Sequence, residues 1–228
     1  MTSVVFAWGG DGARTLASEC DVIVLVDVLS FTTCVSVATV RGAEVRPAPF
    51  DGALRLAPGE VLAGPRDGGG VSLSPGSLVS LQPGQRLVLP SPNGATIAAH
   101  LAGTPMVAAA LRNAGAITRW LNEQGGRVGV VASGEYDDSG GWRPSYEDAV
   151  GAGAVMAGID AARTPQAEAA VIAFRSAQQD GLLTRLLESR SGEELVARGF
   201  PEDVESAADL DADDVVPALQ DGVFTALR

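Results

Sequence analysis

The sequence predicts an α/β fold in which a sheet with parallel portions is covered on both faces by helices, and three observations carry this. Short apolar runs alternate with helix-period segments through roughly the first 160 residues. The run VIVLV, Val22 to Val26, is continuously apolar, as in a parallel strand buried on both faces. The chain has 228 residues with no Pro/Gly linker and no internal repeat, which fits one domain spanning residues 1–228.

Taken in order, the apolar runs predict strands at Ser3 to Ala7, Val22 to Val28, Glu44 to Pro47, Arg86 to Leu89, Met106 to Ala109 and Arg127 to Ala132. Between them Thr32 to Arg41, Gly94 to Ala102 and Asn113 to Glu123 have helical spacing. Beyond Ser145 the pattern turns helical, with segments at Tyr146 to Arg163, Ala167 to Gln178, Gly181 to Glu188, Gly192 to Arg198 and Pro201 to Ala208. Two irregular stretches remain, Gly64 to Pro83 and Ser133 to Pro144. Loops of this length in a compact domain are usually functional or disordered.

Composition narrows the chemistry. All sixteen basic residues are arginine, so lysine Schiff bases, pyridoxal phosphate enzymes and the lysine-bearing P-loop are excluded. The one histidine, His100, excludes multi-histidine zinc sites. A formal charge of -12 repels phosphate backbones, so nucleic acid is not an expected partner. No apolar stretch suits a membrane span or signal peptide, and Cys20 and Cys34 do not make a disulfide framework, so a cytoplasmic location is expected. A homodimer is compatible with the sequence.

In open α/β sheets ligands sit beyond the carboxyl ends of strands, and the polar residues follow that rule. In LVDVLSFTTCV, Asp27 ends a strand while Thr32 and Thr33 open a helix, where Thr32 also suits an N-cap. In SPNGATIAAH, Asn93 and Gly94 lie between a strand and a helix, where Asn-Gly also reads as a turn. Arg112 and Asn113 repeat the arrangement in ALRNAGA; the arginine offers a fork for phosphate or sulfonate, and Asn113 also suits a cap. Arg66, in AGPRDGGG, lies where backbone can approach a ligand closely. In PSYEDAVGAGAV, Ser145 and Asp148 have capping-box spacing, which leaves Glu147 unexplained. If Glu147 and Asp148 face Asp27, repulsion of about 4 kcal/mol per pair at ~4 Å and an effective dielectric near ~20 calls for a cation. Oxygen-only ligands make Mg2+ the natural one.

The ordered segments DVLSFTT, GPRDGG, SPNGAT, ALRNAGA, SYEDAVGAGAV and EDVESAADLDADDVVP resemble the 2-phosphosulfolactate phosphatase (ComB-like) family over nearly the whole chain. The resemblance implies a three-layer α/β/α fold with a central mixed, partly parallel sheet, and a Mg2+-dependent phosphatase that converts 2-phosphosulfolactate to sulfolactate. It points to Asp27, Thr32, Thr33, Arg66, Asn93, Gly94, Thr96, Asn113, Glu147 and Asp148. Ser30 stands where the family usually has arginine, Pro65 where it has glutamate, and Gly151 and Ser206 where it often has cysteine.

The expected function is hydrolysis of a small, anionic, phosphorylated hydroxy acid. Asp27, Glu147 and Asp148 are the expected catalytic and metal-holding residues; Thr32, Thr33, Arg66, Asn93, Gly94 and Asn113 are the expected substrate contacts. The nucleophile is either water or a carboxylate. The rival readings are a non-catalytic anion-binding or regulatory protein that retains the fold, and a phosphatase with a different substrate. A haloacid-dehalogenase-type enzyme is rejected, because Leu29 stands where its second aspartate belongs and there is no lysine.

Overall fold

The computed structural model describes residues 2–50, 54–137 and 139–227. In chain order the elements are β1 (Ser3–Trp8), α1 (Gly9–Ala17), β2 (Val22–Val26), α2 (Phe31–Val40), β3 (Glu44–Ala48), β4 (Glu60–Leu62), β5 (Arg86–Pro90), α3 (Gly94–His100), β6 (Met106–Ala109), α4 (Ala114–Gln124) and β7 (Arg127–Ala132). They continue with β8 (Glu135–Tyr136), β9 (Trp142–Arg143), α5 (Tyr146–Ala157), β10 (Ala162–Arg163), α6 (Pro165–Asp180), α7 (Leu182–Leu187), α8 (Arg190–Ala197), α9 (Pro201–Ala208), β11 (Pro217–Gln220) and β12 (Val223–Ala226).

The described residues form a mixed ten-stranded sheet in the order β10-β1-β7-β2-β6-β11-β12-β3-β5-β4. The strands β10, β1, β7, β2 and β6 are mutually parallel, as are β3, β5 and β4. The antiparallel β11–β12 hairpin joins the two blocks.

β2 shows why the sequence folds this way. Side chains alternate across a strand, so Val22, Val24 and Val26 enter the core beneath α4, α5 and α6, while Ile23 and Leu25 enter the core shared with α1, α2 and α3. A continuously apolar strand is what two covered faces require. The middle of the domain is α2, whose residues Phe31 to Thr39 are all buried. A helix that is apolar or small on every side is a core helix. α2 packs on β6, β11, β12 and β3. The sheet therefore bends around α2 far enough for Gly94, just past β5, to reach Asp27 at the end of β2, five strands away in sheet order.

Several predicted boundaries shift. The helix expected over Tyr146 to Arg163 stops at Ala157, and Ala162–Arg163 becomes edge strand β10. The Arg163 guanidinium turns back to donate to the carbonyls of Met156, Ala157 and Ile159, closing the helix end. The stretch Gly64 to Pro83, about half of it exposed, contains two 3-10 turns, Arg66–Gly68 and Pro75–Ser80, and the second buries Leu78 completely. Ser133 to Pro144 contains the β8–β9 hairpin. Among the described residues no helix is long and apolar enough to cross a membrane.

Candidate active site

Asp27 follows β2 directly, 4% exposed, and the turn after it is held by its own side chains. Its Oδ2 accepts from Gly94 N at 2.7 Å and its Oδ1 from Phe31 N at 3.4 Å. Thr32 Oγ1 donates to Asp27 O and accepts from Asp27 N, while Thr33 Oγ1 donates to Val28 O. The hydroxyls expected to face a substrate thus fasten the strand-to-helix turn instead, and Thr32 is not an N-cap because Ser30 holds that position.

Asp148 braces the same turn from α5. Its Oδ1 accepts from Val28 N at 2.7 Å; its Oδ2 accepts from Gly134 N at 2.9 Å and from Ser145 Oγ at 2.7 Å. Ser145 and Asp148 therefore bond to each other and do not form the capping box their spacing suggested. Glu147, one residue earlier, is also buried. Gly151, one turn further on, lets α5 lie against β2: a Cβ there would stand 2.5 Å from Val28 Cγ2, so cysteine has no room.

The electrostatics of these acids follow from burial without a counter-charge. Burial pushes Asp27 up to about 6, against the opposing amides of Gly94 and Phe31 and the Ser91 hydroxyl. Asp148 is raised well above the ordinary carboxylate range, first by burial and then by the charges of Asp27 and Glu147. Glu147 is raised by burial, with the Ser191 hydroxyl opposing and Glu135 adding to it. Among the described residues no arginine pairs with Asp27, Glu147 or Asp148.

Hard oxygen donors, buried and uncompensated, suit Mg2+ in chemistry. Among the described residues, however, no three acids converge as a ready-made metal centre. The arrangement fits a cation that takes one or two carboxylates and completes its shell with water and substrate oxygens, as Mg2+ commonly does.

Arg66 is braced as well. Its Nε donates to Asp203 Oδ2 at 3.0 Å and its Nη2 to Ser30 Oγ at 3.1 Å, while Ser74 donates to the other Asp203 oxygen. Ser30, the departure from the family pattern, is thus a partner of Arg66, beside the Asp27 turn. A cavity of about 760 Å3 opens on Arg66, Arg198 and Phe200.

The other arginine–asparagine pair is structural. Asn113 is fully buried and uses its amide on Ala110 N, Ala108 O and Val215 O. Arg112 is bound to Asp213, Asp209 and Ser206. Neither is free for a phosphate. Asn93 and Gly94 lie beside Asp27, and Gly94 opens α3 rather than serving in a turn. Thr96 donates to Ser91 O.

Sequence reasoning sets Ser91 and the segment from Ser133 to Asp148 at strand ends but gives no role to Ser91, Ser133, Glu135 or Asp203. Ser91, in the quoted SPNGAT, and Asp203, in the quoted EDVESAA, lie inside segments already singled out. Ser133 and Glu135 lie in the irregular stretch Ser133 to Pro144, where no motif marks a single residue.

The family model described as 2-phosphosulpholactate phosphatase matches residues 13–222. The 2-phosphosulfolactate phosphatase of Methanothermobacter thermautotrophicus is 31% identical over 207 residues, which cover 87% of each chain.

Proposed function

The chain belongs to the 2-phosphosulpholactate phosphatase family, and from that premise we propose that it hydrolyses a small phosphorylated hydroxy acid, 2-phosphosulfolactate first among them, with Mg2+. The observation that carries this reading is a pair of buried carboxyls at the mouth of parallel strand β2, Asp27 and, bonded to the turn after it, Asp148, with no arginine paired to either among the described residues.

In the reaction the oxygen of water bonds to phosphorus, the bond from phosphorus to the ester oxygen breaks, and that oxygen takes a proton, giving the hydroxy acid and inorganic phosphate. Gly94 anchors Asp27 Oδ2, which leaves Oδ1, whose one amide contact is long, to face the metal and the attacking water. Asp148 fixes the turn through Val28, so Asp27 is oriented before substrate arrives. Mg2+, held by Asp27 with Asp148 or Glu147, would neutralise charge on the phosphoryl oxygens. Arg66 and the wide cavity beside it suit the remaining acid groups of the substrate. The free thiols Cys20 and Cys34 accord with a reducing, cytoplasmic setting.

The test is phosphate release from 2-phosphosulfolactate, 2-phospholactate and p-nitrophenyl phosphate, with Mg2+ and with excess chelator. Turnover of the first substrate, lost on chelation and restored by Mg2+, is expected. Full activity in chelator would remove the metal from the reading, and no turnover of any substrate would remove the phosphatase.

A further inference from the structure

Ser133 follows β7 at the position beside Asp27, since Val26 pairs with Ala132 and Ser133 N donates to Val26 O at 2.8 Å. It is 2% exposed. Its carbonyl accepts from Trp142 Nε1 at 3.2 Å, which fixes the backbone under the β8–β9 hairpin. Its hydroxyl is buried and has no partner among the described residues, and the same holds for Asn93 Oδ1.

Both residues line one cavity of about 170 Å3, together with Thr96, His100, Arg14 and Trp142. No carboxylate lies among its described lining residues, and its basic side chains are Arg14, already paired with Asp11, and His100. The wider cavity at Arg66, by contrast, includes Asp67. A volume of this size exceeds the roughly 30 Å3 share of a single water several times over. Buried polar groups without partners destabilise a fold, and two of them on one cavity next to the central acid call for a ligand.

We propose that this cavity receives the phosphoryl group and that Ser133 is a catalytic residue whose hydroxyl donates to a non-bridging oxygen. The proposal rests on the phosphatase reading above. The Asn93 amide supplies a second donor by turning its Nδ2 into the cavity. Charge on the equatorial oxygens is distributed anew as the ester bond breaks, so a fixed donor there acts on turnover as well as on binding.

Ser133→Ala and Ser133→Cys, purified alongside the wild type, provide the test through three measurements: steady-state kinetics on 2-phosphosulfolactate with Mg2+, thermal unfolding, and calorimetric binding of inorganic phosphate. Ser133→Ala should keep or raise the melting temperature, lose about 30-fold or more in kcat with a smaller change in KM, and bind phosphate about tenfold more weakly. Ser133→Cys, with similar size and a weak donor, should follow it. Wild-type kinetics and phosphate affinity in both variants would overturn the proposal, above all if the melting temperature fell. Where melting temperature and turnover fall together, phosphate affinity decides: unchanged binding overturns the proposal. If the wild type hydrolyses no phosphomonoester, the phosphatase reading fails on its own, and phosphate binding still tests the subsite.

Discussion

The amide of Gly94 lies 2.7 Å from Asp27 Oδ2, and a Cβ on Gly94 would lie 2.6 Å from the same oxygen and 2.7 Å from the Phe31 ring. No side chain can occupy position 94 while that hydrogen bond persists. Gly94→Ala should therefore lower the unfolding free energy by about 1–3 kcal/mol, as overpacking does, and reduce turnover by about tenfold or more because Asp27 is displaced. Urea unfolding and phosphate release measure the two effects. Full turnover in this variant would show that the placement of Asp27 does not matter to the chemistry.

Asp27→Asn retains an acceptor for the Gly94 amide and removes one charge from the acid cluster. Turnover should fall by about a hundredfold or more. Stability in chelator should hold or rise, because Asp148 loses a repulsive neighbour. A nearly active protein with reduced stability would make Asp27 a structural residue.

Arg66 stands in a glycine-rich sequence, where a surface position tolerates alanine. In the structure its side chain is 13% exposed and its partner Asp203 is 0% exposed. Arg66→Ala leaves a buried carboxylate supported by Ser74, so a loss of about 3–5 kcal/mol is expected. Adding Asp203→Asn should recover much of it. A double-mutant cycle in urea checks this, and additive losses would show that the two residues act independently.

The raised acids give a pH dependence of definite sign. Between the ordinary Asp value of 3.8 and about 6 for folded Asp27, the folded state binds more protons than the unfolded state, so stability falls as pH rises. Asp148 and Glu147, raised as well, act in the same direction. Glu60, held down at about 2 by its hydrogen bonds to Arg46, contributes stability that is present above its ordinary 4.5 and lost as pH falls from there toward about 2, so it does not affect a comparison made above that range. Protein in chelator should melt higher near about pH 5 than near about pH 7.5, and Asp27→Asn should flatten the difference. A metal-free melting temperature that rises from acid to neutral pH would contradict the uncompensated cluster.

Much of the frame was legible because its signals are local. The run VIVLV announces a strand buried on both faces, and Gly94 and Asp148 reach the turn that Asp27 opens at the end of that strand. What escaped depends on partners far away in sequence. Asn113 has the look of a cap yet its amide is used up within the core, and Asp203 sits in an acidic surface-like segment yet anchors Arg66. The Asp221-Gly222 pair between β11 and β12, at φ 50° and 77°, is a hairpin signal that was overlooked among acidic residues. Helix α1 follows β1 with no connecting loop, which hid its start behind Trp8 and two glycines.

The β11–β12 hairpin lies between the two parallel blocks of the sheet although every other strand precedes it in the chain. During synthesis, both blocks leave the ribosome with an unpaired edge facing where the hairpin will go, on β6 and on β3. Such open edges are templates for pairing with other chains. A chain lacking residues 217–226 would leave the β6 and β3 edges without the partner that joins the two blocks.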